Sequence, residues 1–184
     1  MKKKTQFAAL LLAVATVVTG LTACSAAPAS SEDPASVSTA TMAESVTITD
    51  GWVRAVEDVS GVMPMTGFFM LVTNDSDSDV TIVGGSAAAD LNPAALETHE
   101  VVKNSAGEMV MQEAKGGIVI PAHGSVKLMP GSFHIMLMNL IKPILPGDEV
   151  TISVEFADGS SADITGVAYT IENGIEKYAP EASM

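Results

Sequence analysis

The stretch Val150-Thr151-Ile152-Ser153-Val154-Glu155-Phe156 alternates apolar and polar side chains without a break. Successive side chains of a β-strand point to opposite faces, so this period of two places all the apolar residues of the stretch on one face. Turn-forming residues bound it on both sides, with Pro146-Gly147-Asp148 before it and Asp158-Gly159 after it. The stretch therefore predicts a half-buried β-strand between two turns.

Short apolar or alternating stretches continue outward from this strand in both directions along the chain. Nine more candidate strands are Val46–Thr49, Gly67–Val72, Val80–Val83, Leu96–Val101, Met109–Met111, Ile118–Ile120, Val126–Leu128, Phe133–Met138 and Ala162–Tyr169. Turn signals rich in Gly, Pro, Asn and Asp separate nearly every pair, and Gly84-Gly85 is expected to close the third of these strands. Many short strands with little room for long helices predict an all-β sandwich or barrel.

The N-terminus has the pattern of an export signal. Three lysines, Lys2 to Lys4, precede an apolar run from Phe7 to Leu21 that is short for a membrane span, which needs about 20 residues. The run ends in Leu21-Thr22-Ala23-Cys24, which resembles the bacterial lipobox and predicts a lipid on Cys24. We expect a protein anchored to the outer face of the cytoplasmic membrane. The expected parts are a signal peptide (1–23), a flexible linker that starts with the lipidated cysteine (24–44), a β-sandwich domain (45–173) and a tail (174–184).

Composition excludes several classes of site and partner. Cys24 is the only cysteine, so a domain whose one thiol is lipidated has no disulfide, no Cys-based zinc site, no blue-copper centre and no cysteine nucleophile. Loss of the three N-terminal lysines leaves six basic residues against 22 acidic ones, a formal charge of −16. Such a surface repels nucleic acid and anionic headgroups, so no nucleic-acid partner is expected.

Histidine and methionine form the one group with distinctive chemistry. In the candidate strand Phe133–Met138, the period of two places His134, Met136 and Met138 on one face. Met109 and Met111 also share a face, and they follow His99 after a short segment that contains a turn. Two hairpin-like elements could thus bring imidazoles and thioethers to a common point.

These groups favour one kind of metal ion. A thioether is soft and uncharged, so it binds Cu(I) and has little affinity for Zn(II), Mg(II) or Ca(II), while a neutral imidazole adds a stronger donor. The alternative is that the methionines only pack, because Met is a common core filler. We expect packing for Met63, Met65 and Met70, and a solvated turn at His123.

The order of these residues resembles the PCu(A)C family, extracytoplasmic copper chaperones with a cupredoxin-like Greek-key β-sandwich or barrel. The similarity extends from about Ser45 to Phe156. The segments that carry it are His99, Met111 and His134-Ile135-Met136, with the flanks Gly51–Arg54, Thr66–Asn74, Gly116–Pro121, Leu128–Met138, Lys142-Pro143 and Gly147-Asp148.

The resemblance implies four Cu(I) ligands, namely His99, Met111, His134 and Met136. Many members have a methionine soon after the first histidine, where this chain has Glu100 and Val101. Met109 stays open as a substitute for Met111, and Met138 as an auxiliary ligand or a residue beneath the site. The implied function is delivery of copper to a membrane cuproenzyme, for cytochrome c oxidase assembly, either directly or through another copper chaperone.

Other functions remain compatible with the sequence. A copper storage or scavenging lipoprotein would have the same site, and a structural β-sandwich would use the methionines for packing alone. A copper redox enzyme is disfavoured, since a neutral, thioether-rich ligand set favours Cu(I) over Cu(II). The sequence has no assembled catalytic triad and no Gly-rich phosphate loop, so no enzymatic activity is expected.

Overall fold

The computed structural model describes residues 40–91, 95–171 and 177–178, and the regular elements in these residues are strands apart from one short turn of helix. The predicted signal peptide, Cys24 and most of the linker lie outside these residues, as does most of the predicted tail. A short 3-10 turn, Ala43–Ser45, precedes the first strand. The strands are β1 Val46–Arg54, β2 Thr66–Asn74, β3 Val80–Ala87, β4 Glu97–Lys103, β5 Met109–Glu113, β6 Ile118–Ile120, β7 Ser125–Leu128, β8 His134–Leu137, β9 Glu149–Phe156, β10 Ser161–Tyr169 and β11 Lys177–Tyr178.

The prediction of an all-β domain is confirmed, because each of the ten candidate strands coincides with a strand of the structure. In β9 the alternation is complete: Val150, Ile152, Val154 and Phe156 are buried, and the residues between them are exposed or partly exposed. No helix in the described part of the chain is both long and apolar enough to cross a membrane.

One predicted strand end is wrong. Gly84-Gly85 does not close β3, which continues to Ala87 and pairs with β9. The register shifts between Ile82 and Gly84, so the glycines form a β-bulge inside the strand. A Cβ on Gly85 would lie 2.2 Å from the carbonyl oxygen of Ser153, which explains why a side chain is absent there.

The strands form one continuous hydrogen-bonded path in the order β11-β5-β4-β8-β2-β1-β10-β9-β3-β6, and β7 pairs with β2. Strand β2 pairs along one edge first with β8, through Thr66–Phe68, and then with β7, through Met70–Thr73. Its other edge pairs with β1. An isolated bridge between Gly85 and Leu96 links β3 to the start of β4, so the path curves back on itself around the core.

The core has two separate parts. A large cluster of Val, Ile, Leu and Phe side chains fills the interior, and it includes Ile135 and Leu137 of β8. A smaller cluster contains Met111, Met136 and Met138. One face of β8 therefore packs in the large cluster and the other face in the methionine cluster, which agrees with its period of two.

Candidate metal centre

Three neighbouring strands bring the predicted histidines and methionines to one face of the sheet. Strand β4 lies between β5 and β8, and both pairings are antiparallel. In the β4–β8 register His99 is directly opposite His134, and Glu97 is opposite Met136. In the β4–β5 register Val101 is opposite Met111. Residues that are opposite each other point to the same face, so all of these side chains share it.

Two of the donor groups are in direct contact. The Nε2 atom of His134 lies 2.9 Å from the Sδ atom of Met111. The ring centroids of His99 and His134 are 5.9 Å apart. His99 is fully buried, and His134 and Met136 are only 2% and 3% exposed. These side chains therefore meet inside the protein rather than on its surface.

The structure defines which nitrogen of His134 carries the proton. Its Nδ1 lies 2.9 Å from the carbonyl oxygen of Ser132, which can only accept a hydrogen bond, so Nδ1 is the donor. In the neutral ring the Nε2 lone pair then points toward Met111. Burial lowers the pKa of His134, and the nearby His99 lowers it further, against the opposing effect of the Ser132 carbonyl. His134 is thus kept neutral and ready to act as a ligand.

His99 makes a different contact, with a carboxylate. Its Nε2 lies 2.9 Å from Oε2 of Glu97, two residues earlier on the same face of β4. A carboxylate accepts hydrogen bonds, so this contact favours the tautomer with a proton on Nε2 and a lone pair on Nδ1. Histidines that bind metals commonly donate their other N–H to a carboxylate or a backbone carbonyl, and here each histidine does one of the two.

The methionines divide into buried and exposed groups. Met111, Met136 and Met138 are 8%, 3% and 3% exposed, and Met65 packs against them. Met109 points to the same side of β5 as Met111 but is opposite Lys103 at the far end of β4, and it is 44% exposed. Of the two alternatives that the sequence left open, only Met111 lies beside a histidine.

The remaining histidine lies elsewhere. His123 is in the turn between β6 and β7, where its Nε2 is 2.8 Å from Asp77, and its side chain is 64% exposed. The prediction that His123 is a solvated turn residue is confirmed.

The geometry suits a single metal ion bound by both imidazoles. With metal–nitrogen distances of about 2.0–2.1 Å, two such rings have their centroids about 5–6.5 Å apart, and the observed 5.9 Å lies within that range. No group of three or more His, Cys, Asp and Glu side chains in the described ranges could hold a metal. The thioethers of Met111 and Met136 lie on the same face as the two imidazoles and could complete a ligand set.

Sequence reasoning missed two residues of this region, Glu97 and Met65. Glu97 precedes His99 by two residues, and that spacing on a strand could have indicated a shared face. Met65 was expected to pack in the core or a loop, and it does pack, but against the methionines of the candidate site. That contact depends on how β2 pairs with β8, which the local sequence does not specify.

Comparisons with known proteins identify the family and the fold of this chain. The family model described as "Putative lipoprotein LpqE-like" matches residues 46–168. The chain belongs to the LpqE-like family. A relative from Leifsonia xyli subsp. xyli (strain CTCB07), named "Putative lipoprotein Lxx21020", is 34% identical over 166 residues, which are 90% of this chain and 92% of the relative.

Solved structures share the fold of this LpqE-like domain. The copper-bound PCuAC domain from PmoF2 has a TM-score of 0.52 and 21% identity, and the match covers 69% of this chain and 94% of that domain. The apo PCuAC domain from PmoF1 has a TM-score of 0.53 and 17% identity, and the match covers 69% and 95%. The resemblance to the PCu(A)C family and the cupredoxin-like fold are confirmed.

Proposed function

We propose that this LpqE-like protein binds one Cu(I) ion between His99, Met111, His134 and Met136 and delivers it outside the cytoplasm. The observation that carries the proposal is the 2.9 Å contact between Nε2 of His134 and Sδ of Met111, since both atoms present lone pairs to the same place. The similar PCuAC domain of PmoF2 was solved with copper bound, which supports the choice of metal.

The chemistry of the ligand set explains the preference for Cu(I). Two neutral imidazoles and two thioethers carry no charge, so the bound ion keeps its single positive charge. Cu(II) prefers harder nitrogen and oxygen donors in a tetragonal array, and Zn(II) has little affinity for thioethers. The burial of His99 and His134 also keeps water, a competing hard ligand, away from the ion.

Delivery is proposed to take place at the outer face of the cytoplasmic membrane. A lipid on Cys24 would anchor the protein there, and the lipoprotein name of the Leifsonia relative supports this anchor. The resemblance to PCu(A)C chaperones indicates an acceptor protein that contains copper, either a subunit of cytochrome c oxidase or a further chaperone that serves it. In this role the protein carries the ion and does not transform a substrate.

The test is a competition for Cu(I) between the purified protein and a chromogenic Cu(I) chelator. We expect Met111→Leu to weaken binding at least about tenfold, because leucine keeps the volume of the side chain and removes the sulfur. Met109→Leu is the matched control, since it removes an exposed thioether from the same strand. We expect its affinity to stay within about twofold of the wild type.

Two results would contradict the proposal. If the wild-type protein takes no Cu(I) from the chelator, the methionines only pack and the protein is not a copper carrier. If Met109→Leu loses affinity and Met111→Leu does not, the ligand set is wrong even though copper binds. Unfolding in urea should be measured for both variants, so that a loss of folding is not read as a loss of ligands.

A further inference from the structure

The candidate site is closed to solvent, which raises the question of how an ion enters and leaves it. His99, His134, Met136, Met138 and Met111 are all between 0% and 8% exposed. A partner protein therefore has little direct access to an ion held among them. Transfer between proteins proceeds by exchange of ligands, so some donor group must extend from the site toward the surface.

Met65 is placed to be that donor group. It is partly buried, packs against the cluster of Met111, Met136 and Met138, and directly precedes β2. Thr66 of β2 pairs with Leu137, and continuing this antiparallel register by one residue puts Met65 opposite Met138. Residues that are opposite each other have Cβ atoms about 4.5–5.5 Å apart, which lets their side chains touch.

The surrounding backbone holds Met65 between the site and the solvent. The preceding residues Val62 and Met63 are 97% and 43% exposed. The carbonyl oxygen of Pro64 accepts a hydrogen bond of 2.9 Å from the backbone N–H of Leu140, which ties the segment to the chain beyond β8. Met65, which is partly buried, thus lies at the edge of the buried cluster of Met111, Met136 and Met138.

We propose that Met65, with Met138 behind it, is an exchange site for soft monovalent metal ions, which Cu(I) occupies on its way into and out of the buried site. Thioethers bind Cu(I) without charge or proton transfer, so one can replace another in single steps. Met65 then affects the rate at which the ion moves rather than the final affinity. This inference rests on the proposed function, because it assumes that the buried site holds Cu(I).

The experiment compares rate and equilibrium in the same variants. Cu(I)-loaded wild-type protein, Met65→Leu and Met63→Leu are mixed with a chromogenic Cu(I) chelator in a stopped-flow instrument, and the affinity of each is measured by competition at equilibrium. We expect Met65→Leu to release Cu(I) about tenfold more slowly. Its affinity should stay within about threefold of the wild type, because leucine preserves the packing. Met63→Leu, which removes the exposed thioether two residues away, should behave as the wild type does.

Three other outcomes would overturn the inference, and the measurements distinguish them. Unchanged release from Met65→Leu means that Met65 only packs. A loss of affinity as large as that of Met111→Leu, with an unchanged urea midpoint, means that Met65 is a permanent ligand. If the wild-type protein binds no Cu(I), both the proposed function and this inference are wrong. If it binds Cu(I) normally but Met65→Leu does not change the rate of release, only this inference is wrong.

Discussion

Glu97 connects the buried part of the candidate site to the solvent. Its side chain is 40% exposed, while the His99 ring that it contacts is fully buried. The carboxylate thus holds the imidazole from the solvent side and fixes both its orientation and its tautomer. It also places a negative charge near the proposed position of a monovalent cation, with the ring of His99 between the two. In the proposed copper site Glu97 would therefore position His99 rather than bind the ion.

We expect Glu97→Gln to weaken Cu(I) binding about tenfold, because loss of a partner of this kind typically costs 10–100-fold in metal affinity. The measurement is competition with a chromogenic chelator, as for the ligand variants. Glu100→Gln is the control, since Glu100 lies on the same strand but on its other face, where it accepts a hydrogen bond from Gln112. Equal affinities for the two variants would show that Glu97 does not position His99. The urea midpoint of the metal-free protein should be similar in both.

The strands show which parts of the fold can be predicted from local sequence. The period of two in β8 correctly predicted that His134 and Met136 share a face, because this alternation is a property of any strand; Ile135, on the opposite face, packs in the main core. The pairing of β4 with β8 could not be predicted in the same way. It joins His99 to His134 across 35 positions of the sequence, and such a register depends on the packing of the whole domain.

At the bulge in β3 the local sequence led to a wrong prediction of where a strand ends. A pair of glycines usually ends a strand, but Gly84-Gly85 lies where β3 passes so close to β9 that a side chain does not fit. Glycine in a strand can mark such a close approach as well as a turn. A glycine at a close approach differs from a glycine in a turn because another strand lies against it. The local sequence does not show whether such a strand is present.

We expect Gly85→Ala to destabilise the domain by about 3 kcal/mol or more, since the new Cβ would meet backbone atoms of Ser153 that cannot rotate away. Urea unfolding followed by circular dichroism measures this change. Gly61→Ala is the matched control, because a Cβ there would meet nothing within 4 Å. We expect that control to change stability by no more than about 0.5 kcal/mol. Equal stability of the two variants would show that β3 and β9 do not approach as closely as described.

The charge of the entire protein bears on how it would be held near the proposed acceptor. Without the N-terminal lysines the chain has 22 acidic and six basic residues, so anionic membrane surfaces repel it. Electrostatic attraction therefore does not hold the domain at an anionic membrane, and in the proposed function the lipid on Cys24 would be the anchor. An anchor of this kind raises the effective concentration of the domain near membrane-bound acceptors by orders of magnitude.

This argument predicts a separation between binding copper and delivering it. In a strain that makes the protein with residues 1–24 replaced by a cleaved secretory signal, we expect the Cu(I) affinity of the exported domain to be unchanged. Cytochrome c oxidase activity in membranes from cells grown at low copper should fall at least about threefold, because the effective concentration near the acceptor is lost. Added copper should restore the activity, since it bypasses the carrier. Full oxidase activity at low copper, with matched amounts of exported protein, would show that delivery does not require the anchor and would leave the lipid without a role in transfer.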